Sequence, residues 1–504
     1  MDRFQLFDHM SKLFESIDRR HKKIVCDGVE FDLLDVTIST LYLTAVREQY
    51  GQYGDLIKFN SLSPINKVKS FNKYLYRRIA YTYNDLEKKK ISRLDNKACK
   101  ADVLFIPVEP THLSQQLPVV EELIKTTNSY VFLTNRPKIY KELDSKKYSV
   151  LFFNLDFNKE SLSIEKKVSS LCRKIRSTNL EYGSVIIDRN IIEKVTNSIE
   201  DTFVRTIKIM DSLVKYLKEI KPKIVVVGND FTIEGRIAVR ACQQLGIDTA
   251  CIMHGSVFGE PMDKLHIVDK YFAHGEKPKD HLVKIGVSSN NIIVSGDPKI
   301  DKLSFSPRSI HHGIKQGLNL KKGEKFIMLA LSGVGHCTST KHFDKIVTSA
   351  LRFSQRYPEI KIMAKLHRKD NKKNYLYLMK LFSNSGLKVV TYGQHGYPLD
   401  IYDWLNGCRL VITGASTVAI EAMLMSVPVV TVDYMSEYHD VDFIECGATI
   451  HVDREQNFNR TINDALHSPD KFSNIQLKAR EYVDSYFYKR DGNSSKRIVN
   501  HLIT

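Results

Sequence analysis

Ser416, Thr417 and Glu421 are the residues whose types and spacing point most directly to a chemistry, the capture of a phosphate and a ribose. The apolar run Leu410 to Ile412 suits a buried parallel strand, and Val427 to Val432 suits the next one. Between them, Thr413-Gly414-Ala415 makes a tight loop, and Ser416 or Thr417 can cap a helix that carries Glu421. The start of such a helix presents unpaired N–H groups and the positive end of its dipole to an anion. Glu421 lies about one turn further in, where a carboxylate can accept hydrogen bonds from a ribose diol.

Those residues need elements to hold them, and the sequence supplies an alternating series. Strands are expected at Val103 to Ile106, Tyr130 to Leu133, Val150 to Phe153, Ile224 to Val227, Thr249 to Met253 and Ile292 to Val294. Helices are expected through Glu121 and Glu122, over roughly 193–220 and 232–245, and around 281–285. The helix ending near Ile220 must stop before Lys221-Pro222. A second series brings strands at Phe326 to Leu331, Ile360 to Leu366 and Leu387 to Val390, with helices at 341–356, 375–382 and 399–405. Strand–helix alternation predicts an α/β fold of parallel sheets covered on both faces. The expected organisation is a mainly helical extension over 1–100, a Rossmann-like domain over 101–310 and a second over 311–504 with closing C-terminal helices. Ligands of such folds sit at the carboxyl ends of the strands, and in a two-domain arrangement those ends can face each other across a cleft.

Polar clusters fall at the expected strand ends. Asn229-Asp230, His254-Gly255-Ser256 and Glu260 follow strands of the first domain. Ser332-Gly333-Val334-Gly335-His336, Lys365-Leu366-His367-Arg368 and Gln394-His395-Gly396 follow strands of the second, beside Ser416, Thr417 and Glu421. One polar loop after a strand is ordinary; six in register over two domains point to an active site.

Bulk composition narrows the class. The 504 residues exceed one ordinary core, and 42% apolar with 26% charged content describes a globular chain rather than a disordered one. No run of about 18 apolar residues exists, so no transmembrane helix is expected. Met1 to Lys23 carries no signal-peptide core. The eight cysteines stand singly, without a CxxC pair, which argues against a zinc ribbon or disulfide framework and for a cytosolic protein. A net charge of +17 fits nucleic acid, an anionic membrane surface or phosphorylated substrates. No nucleic-acid-binding motif is present. Tyr and Phe interleave with Lys and Arg over Lys67 to Lys90, as in a membrane-surface helix or as in a solvated helical face with buried aromatics.

The sequence over roughly 101–490 resembles the GT-B superfamily of two-domain glycosyltransferases and their relatives. Thr413 to Val430 carries the likeness most specifically, looking like its donor-side phosphate and ribose motif. Among its branches the chain looks closest to bacterial capsule and wall polymer enzymes, the CDP-glycerol glycerophosphotransferases and the transferases of CMP-activated ulosonic acids. His254-Gly255 matches their His-Gly, and Lys365-Leu366-His367-Arg368 matches their Lys-x-His-Pro with Arg368 in place of proline. Val225 through Gly296-Asp297-Pro298 to Leu303 is similar to the layout of non-hydrolysing UDP-N-acetylglucosamine 2-epimerases.

The resemblance implies a glycosyl or polyol-phosphate transferase moving a group from a CMP-, CDP- or UDP-activated donor to a glycan or lipid-linked acceptor. Its place would be the cytoplasm or the inner face of the cell membrane. The departing phosphate needs cationic and N–H donors, which the Ser332–His336 loop, Lys365, His367, Ser416 and Thr417 can supply. Gln394, His395 and Gly396 would meet the base. The acceptor hydroxyl needs a general base, for which His254, Asp230 and Glu260 are candidates in that order. No Asp-x-Asp pair sits at a strand end, so neither a catalytic metal nor another cofactor is expected. Retaining members place a second Glu eight residues before the ribose Glu; here that position is Thr413, which favours inversion. Two other readings stand beside transfer. One is a sugar-nucleotide epimerase, although such enzymes resemble Gln-Glu-Glu-Ala where this chain has Ala419-Ile420-Glu421-Ala422. The other is a non-catalytic scaffold of the same fold.

Overall fold

A computed structural model of the chain describes residues 11, 23–37, 100–153, 166, 168–173, 181–182, 185–186, 189–255, 261–303, 309–331, 338–366, 372–383, 385, 387–391, 394, 396–398, 400–436 and 441–504. It divides into two compact units. One contains the described residues up to Lys302 together with Phe487–Thr504; the other runs from Leu303 to Tyr486. Each is a Rossmann-like α/β unit, as the alternation of elements predicts. The Lys67 to Lys90 segment lies outside the described residues.

The first unit opens with β1 (Lys23–Cys26) and β2 (Val29–Asp32), an antiparallel hairpin, followed by a helical turn over residues 33–37. Of the stretch expected to be mainly helical, residues 11, 23–37 and 100 are described, and they hold this hairpin beside the helical turn. Asp27 and Gly28 link the strands with φ of 46° and 78°, the left-handed pair that a two-residue hairpin turn requires. The series continues with β3 (Val103–Ile106), α1 (Pro110–Leu123), β4 (Tyr130–Thr134), α2 (Pro137–Ser145) and β5 (Val150–Phe152). A short antiparallel pair, β6 (Glu181–Tyr182) and β7 (Val185–Ile186), precedes α3 (Arg189–Ile220). Lys221 leaves α3 at φ 51°, ahead of Pro222, so the chain turns where proline forbids more helix.

Next come β8 (Ile224–Val227), α4 (Ile233–Leu245), β9 (Asp248–Ile252), β10 (Lys270–Ala273), α5 (Glu276–Lys284) and β11 (Ile292–Val294). Thr232 caps α4 by accepting from Gly235 N–H, and Gly246 ends it at φ 67°. The seven strands of the sheet run parallel in the order β11-β10-β9-β8-β3-β4-β5. Continuous apolar strands such as Ile224 to Val227 fit this sheet because both of its faces are covered. One face buries Phe105, Phe132, Val226, Ile252 and Phe272 against Leu113, Val120 and Leu123 of α1.

The second unit holds α6 (His312–Gly317), β12 (Phe326–Ala330), α7 (Thr340–Arg356), β13 (Ile362–Lys365), α8 (Lys372–Leu381), β14 (Leu387–Val390), α9 (Ile401–Asn406) and β15 (Cys408–Thr413). It continues through α10 (Thr417–Leu424), β16 (Val429–Val432), α11 (Asp442–Glu445), β17 (Ile450–Val452), α12 (Glu455–His467) and α13 (Ser473–Tyr486). Its six parallel strands take the order β14-β13-β12-β15-β16-β17.

The last helix, α14 (Ser494–Ile503), belongs with the first unit rather than the second, where the sequence had placed all residues to 504. Ile498, Val499 and Leu502 complete the apolar layer over α1. Asp301 accepts from the Ser494 and Ser495 N–H groups at 2.9 and 2.7 Å, satisfying donors that a helix start leaves unpaired. Gly296, at φ 91°, lies so close that a Cβ would fall 2.9 Å from the Tyr488 carbonyl oxygen. Gly296 therefore serves the seating of the C-terminal segment. Among the described residues, no helix is long and apolar enough to cross a membrane.

Candidate functional site

In a parallel sheet all strands deliver their carboxyl ends to one edge, and the candidate residues gather along those edges. In the first unit β8 runs into Gly228-Asn229-Asp230. Asn229 is buried, and its Oδ1 accepts from Phe231 N–H at 2.9 Å. Its carbonyl accepts from the Thr232 hydroxyl at 3.0 Å. A Cβ on Gly235 would fall 1.8 Å from that same carbonyl oxygen, so only glycine lets α4 start this close to the strand end. Gly235→Ala is therefore expected to lose about 1–3 kcal/mol through overpacking, read as a fall in melting temperature with an intact secondary-structure spectrum.

Asp230 is fully buried and its carboxylate is committed. Oδ1 lies 2.6 Å from His266 Nδ1, and Oδ2 accepts from Ile267 and Val268 N–H at 2.6 and 3.3 Å. Burial raises the Asp230 pKa, but the attraction and hydrogen bond of His266, the Ile267 N–H and the charge of Arg236 outweigh it and hold it below the ordinary value. Burial lowers the His266 pKa, and the Asp230 carboxylate more than restores it, leaving it raised. The His266 ring also sits 4.3 Å from that of Tyr271. This geometry makes Asp230, placed second among the candidate bases, an anchor for the 263–268 segment. Arg236 extends the anchor, donating to Leu265 carbonyl at 2.7 Å and pairing with Asp35 at 2.7 Å, while Arg240 meets the other oxygen of Asp35 at 2.8 Å. Burial raises Asp35, and hydrogen bonds and charge from the two arginines bring it below the usual carboxylate range.

His254 follows β9, half-buried, with its ring edge-to-face against His112 of α1 at 4.6 Å between centroids. Further along the same edge, beyond β8 and β3, β4 runs into Asn135 and Arg136. Arg136 Nη2 donates to Glu234 Oε1 at 2.6 Å, and Asn135 Nδ2 approaches the same oxygen at 3.5 Å. His112, His266, Asn135, Arg136 and Glu234 were not singled out by the sequence. The polar pair Asn135-Arg136 between a strand and Pro137 was a usable signal; the partners of Asp230 and His254 had none.

In the second unit Ala330, Lys365 and Thr413 end β12, β13 and β15 side by side: Ala330 pairs in register with Lys365 and with Thr413. Thr413 Oγ1 donates to the Ala330 carbonyl at 2.9 Å, so this position ties two strands together. Ser416 caps α10, accepting from Val418 N–H at 3.3 Å, while Thr417 is exposed and Glu421 half-buried one turn on. Burial lowers the Lys365 pKa below that of an ordinary ammonium, against the opposing pull of the nearby Glu421 carboxylate. Lys365 and Glu421, far apart in sequence, are thus brought within electrostatic reach, and Ser416 and Thr417 start the helix that carries Glu421.

Gln394 spends its side-chain oxygen on its own loop, accepting from Thr391 N–H at 3.2 Å. Gly396 takes φ 83°, and its carbonyl lies where a Cβ on Gly313 would stand only 1.4 Å away. Tyr397 stacks on the buried Trp404 at 5.6 Å. The loop is built on glycine contacts and an aromatic stack. Glu260, Ser332, Gly333, Gly335, His336, His367 and His395 lie outside the described residues.

The fold has close counterparts among solved structures. The UDP-GlcNAc 2-epimerase of Neisseria meningitidis, bound to UDP-GlcNAc, superposes with a TM-score of 0.51 at 17% identity, over 80% of this chain and 99% of that one. The S. aureus MnaA–UDP structure gives 0.52 at 16%, over 79% and 95%. The UDP-GlcNAc 2-epimerase of Methanocaldococcus jannaschii gives 0.51 at 19%, over 80% and 99%. At such identities these likenesses establish a GT-B-like fold. No curated protein matches the chain in sequence. The sequence likeness that does emerge is with the epimerase branch, not with the glycerophosphate or ulosonic acid transferases that the motifs suggested. The model of the UDP-N-acetylglucosamine 2-epimerase family matches residues 185–503, more than half of the sequence, and the chain belongs to that family.

Proposed function

We propose that this protein is a sugar-nucleotide enzyme acting on a UDP-N-acetylhexosamine, with inversion of the sugar at C2 as its reaction. The observation that carries the reading is the electrostatic reach between Lys365, at the end of β13, and Glu421, on the Ser416-capped helix after β15, with β12 between those two strands, in a member of the epimerase family. Lys365 and the α10 N–H groups would hold the diphosphate, and Glu421 the ribose. Solved relatives of the same fold are described as bound to UDP-GlcNAc or UDP. His254 remains the acid–base group among the described candidates, since Asp230 is committed to His266.

Two observations support a second reading, transfer of the sugar to an acceptor with inversion. Ile420 is buried at 2% exposure where the epimerase pattern carries a second carboxylate, and Thr413 is engaged with Ala330 where a retaining enzyme would carry Glu. A single experiment separates the two. Inversion at C2 requires the C2–H bond to break and a proton to return on the opposite face. Incubating UDP-GlcNAc alone with the protein in deuterated water should place deuterium at C2 and give two C2 epimers in the proton spectrum. Unlabelled substrate after many enzyme equivalents, with UDP released once a glycan acceptor is added, would replace epimerisation by transfer.

A further inference from the structure

We propose that His112 is a positioning residue for His254, a second imidazole supplied by a part of the chain that lies before the family match. This rests on the reading of His254 as the acid–base group. His112 occupies the first turn of α1 and is 1% exposed. Its Nδ1 accepts from the backbone N–H of Val108 at 3.1 Å and of Glu109 at 3.3 Å, the two residues that lead β3 into α1. An acceptor Nδ1 puts the ring proton on Nε2, so two backbone donors set both the tautomer and the plane of this imidazole. The Nδ1 end of the ring is also cleared by a missing side chain. A Cβ on Gly228, at the end of β8, would fall 2.0 Å from His112 Nδ1 and 2.3 Å from its Cγ. The strand end is open so that the ring can lie across it.

The ring so fixed meets the His254 ring edge-to-face, at 4.6 Å between centroids and 73° between planes. β3, β8 and β9 are neighbours in the sheet, and His112, Gly228 and His254 follow them in that order. His254 is half-buried, and this contact gives its ring a rigid neighbour that favours one orientation. Holding a proton-transfer group within tens of degrees of its working direction changes turnover more than substrate affinity.

His112→Asn tests this in the full-length protein, because the Asn oxygen can replace Nδ1 as acceptor for Val108 and Glu109 while removing the ring. With UDP-GlcNAc, kcat should fall about 10- to 100-fold while KM stays within about twofold. Independently of turnover, the His254 ring C–H should relax as a rigid group in the wild type, with an order parameter above about 0.8, and drop below about 0.6 in the variant. Unchanged kcat and unchanged His254 relaxation overturn the proposal. His254→Asn separates this from failure of the underlying reading. If that variant keeps its activity, the role of His254 falls and the inference with it. If it is inactive beside a fully active His112→Asn, the inference alone falls.

Discussion

Asp230→Ala is expected to cost the first unit about 3–5 kcal/mol, the penalty for leaving one member of a buried ion pair without the other. His266 would keep a buried imidazole with no carboxylate at Nδ1, and the Ile267 and Val268 N–H groups would lose their acceptor. Asp230→Asn should cost less, since its oxygen can still take one N–H. Both are read by denaturant unfolding of the whole chain, following the first transition if the units melt separately.

The same pair gives a pH signature with a definite sign. The Asp230 pKa is lowered in the folded state, so its contribution is present above the unfolded carboxylate value and fades as pH falls through the folded one. The His266 pKa is raised, so its contribution is present below the unfolded imidazole value and fades as pH rises through the folded one. Stability from the pair should be greatest between about pH 4 and 6.5, the two unfolded values, and decline on either side. Asp230→Ala should flatten that profile. A wild-type profile that declines neither below about pH 4 nor above about pH 6.5 would refute the ion pair.

The anchoring role explains what the sequence could and could not reveal here. Asn229-Asp230 after an apolar strand has the appearance of a catalytic pair. Its true partners, His266 and the Ile267 N–H, arrive from an irregular stretch before β10. That strand was itself missed, because Lys270 to Ala273 is four residues long and offers too little periodicity to stand out from the polar residues before it. β17 was missed for the same reason, with His451 exposed in the middle of three residues. Ile224 to Val227 and Ile292 to Val294 were legible with correct ends, since unbroken apolar runs bounded by polar loops suit a doubly covered sheet. The β1–β2 hairpin was legible in principle: Asp27-Gly28 is a strong turn signal that the apolar periodicity around it obscured. The Ser416 cap and Glu421 could be read because cap, helix and carboxylate are local in sequence. The role of Asp35 could not, since its arginines lie about two hundred residues away and only packing brings them close.

Glu421→Ala and Lys365→Met should have the largest effects on ligand binding. Each removes a charged hydrogen-bonding group worth about 1.5–3 kcal/mol, which is roughly 10- to 150-fold in the dissociation constant for UDP. Their pH behaviour tells the two roles apart. In the proposed site a diphosphate would be held by the protonated form of Lys365, so UDP binding should weaken as pH rises through a value below the ordinary lysine range. In Glu421→Ala the attraction that supports this ammonium is gone, burial is left unopposed, and the weakening should begin at lower pH than in the wild type. In Lys365→Met this alkaline step should disappear, leaving binding weak but level. Calorimetric titration of UDP across pH 7 to 10 supplies all three curves. A wild-type curve with no alkaline step, or a Glu421→Ala step displaced upward, would mean that Lys365 does not carry the phosphate, and the nucleotide would have to be sought at another edge of the fold.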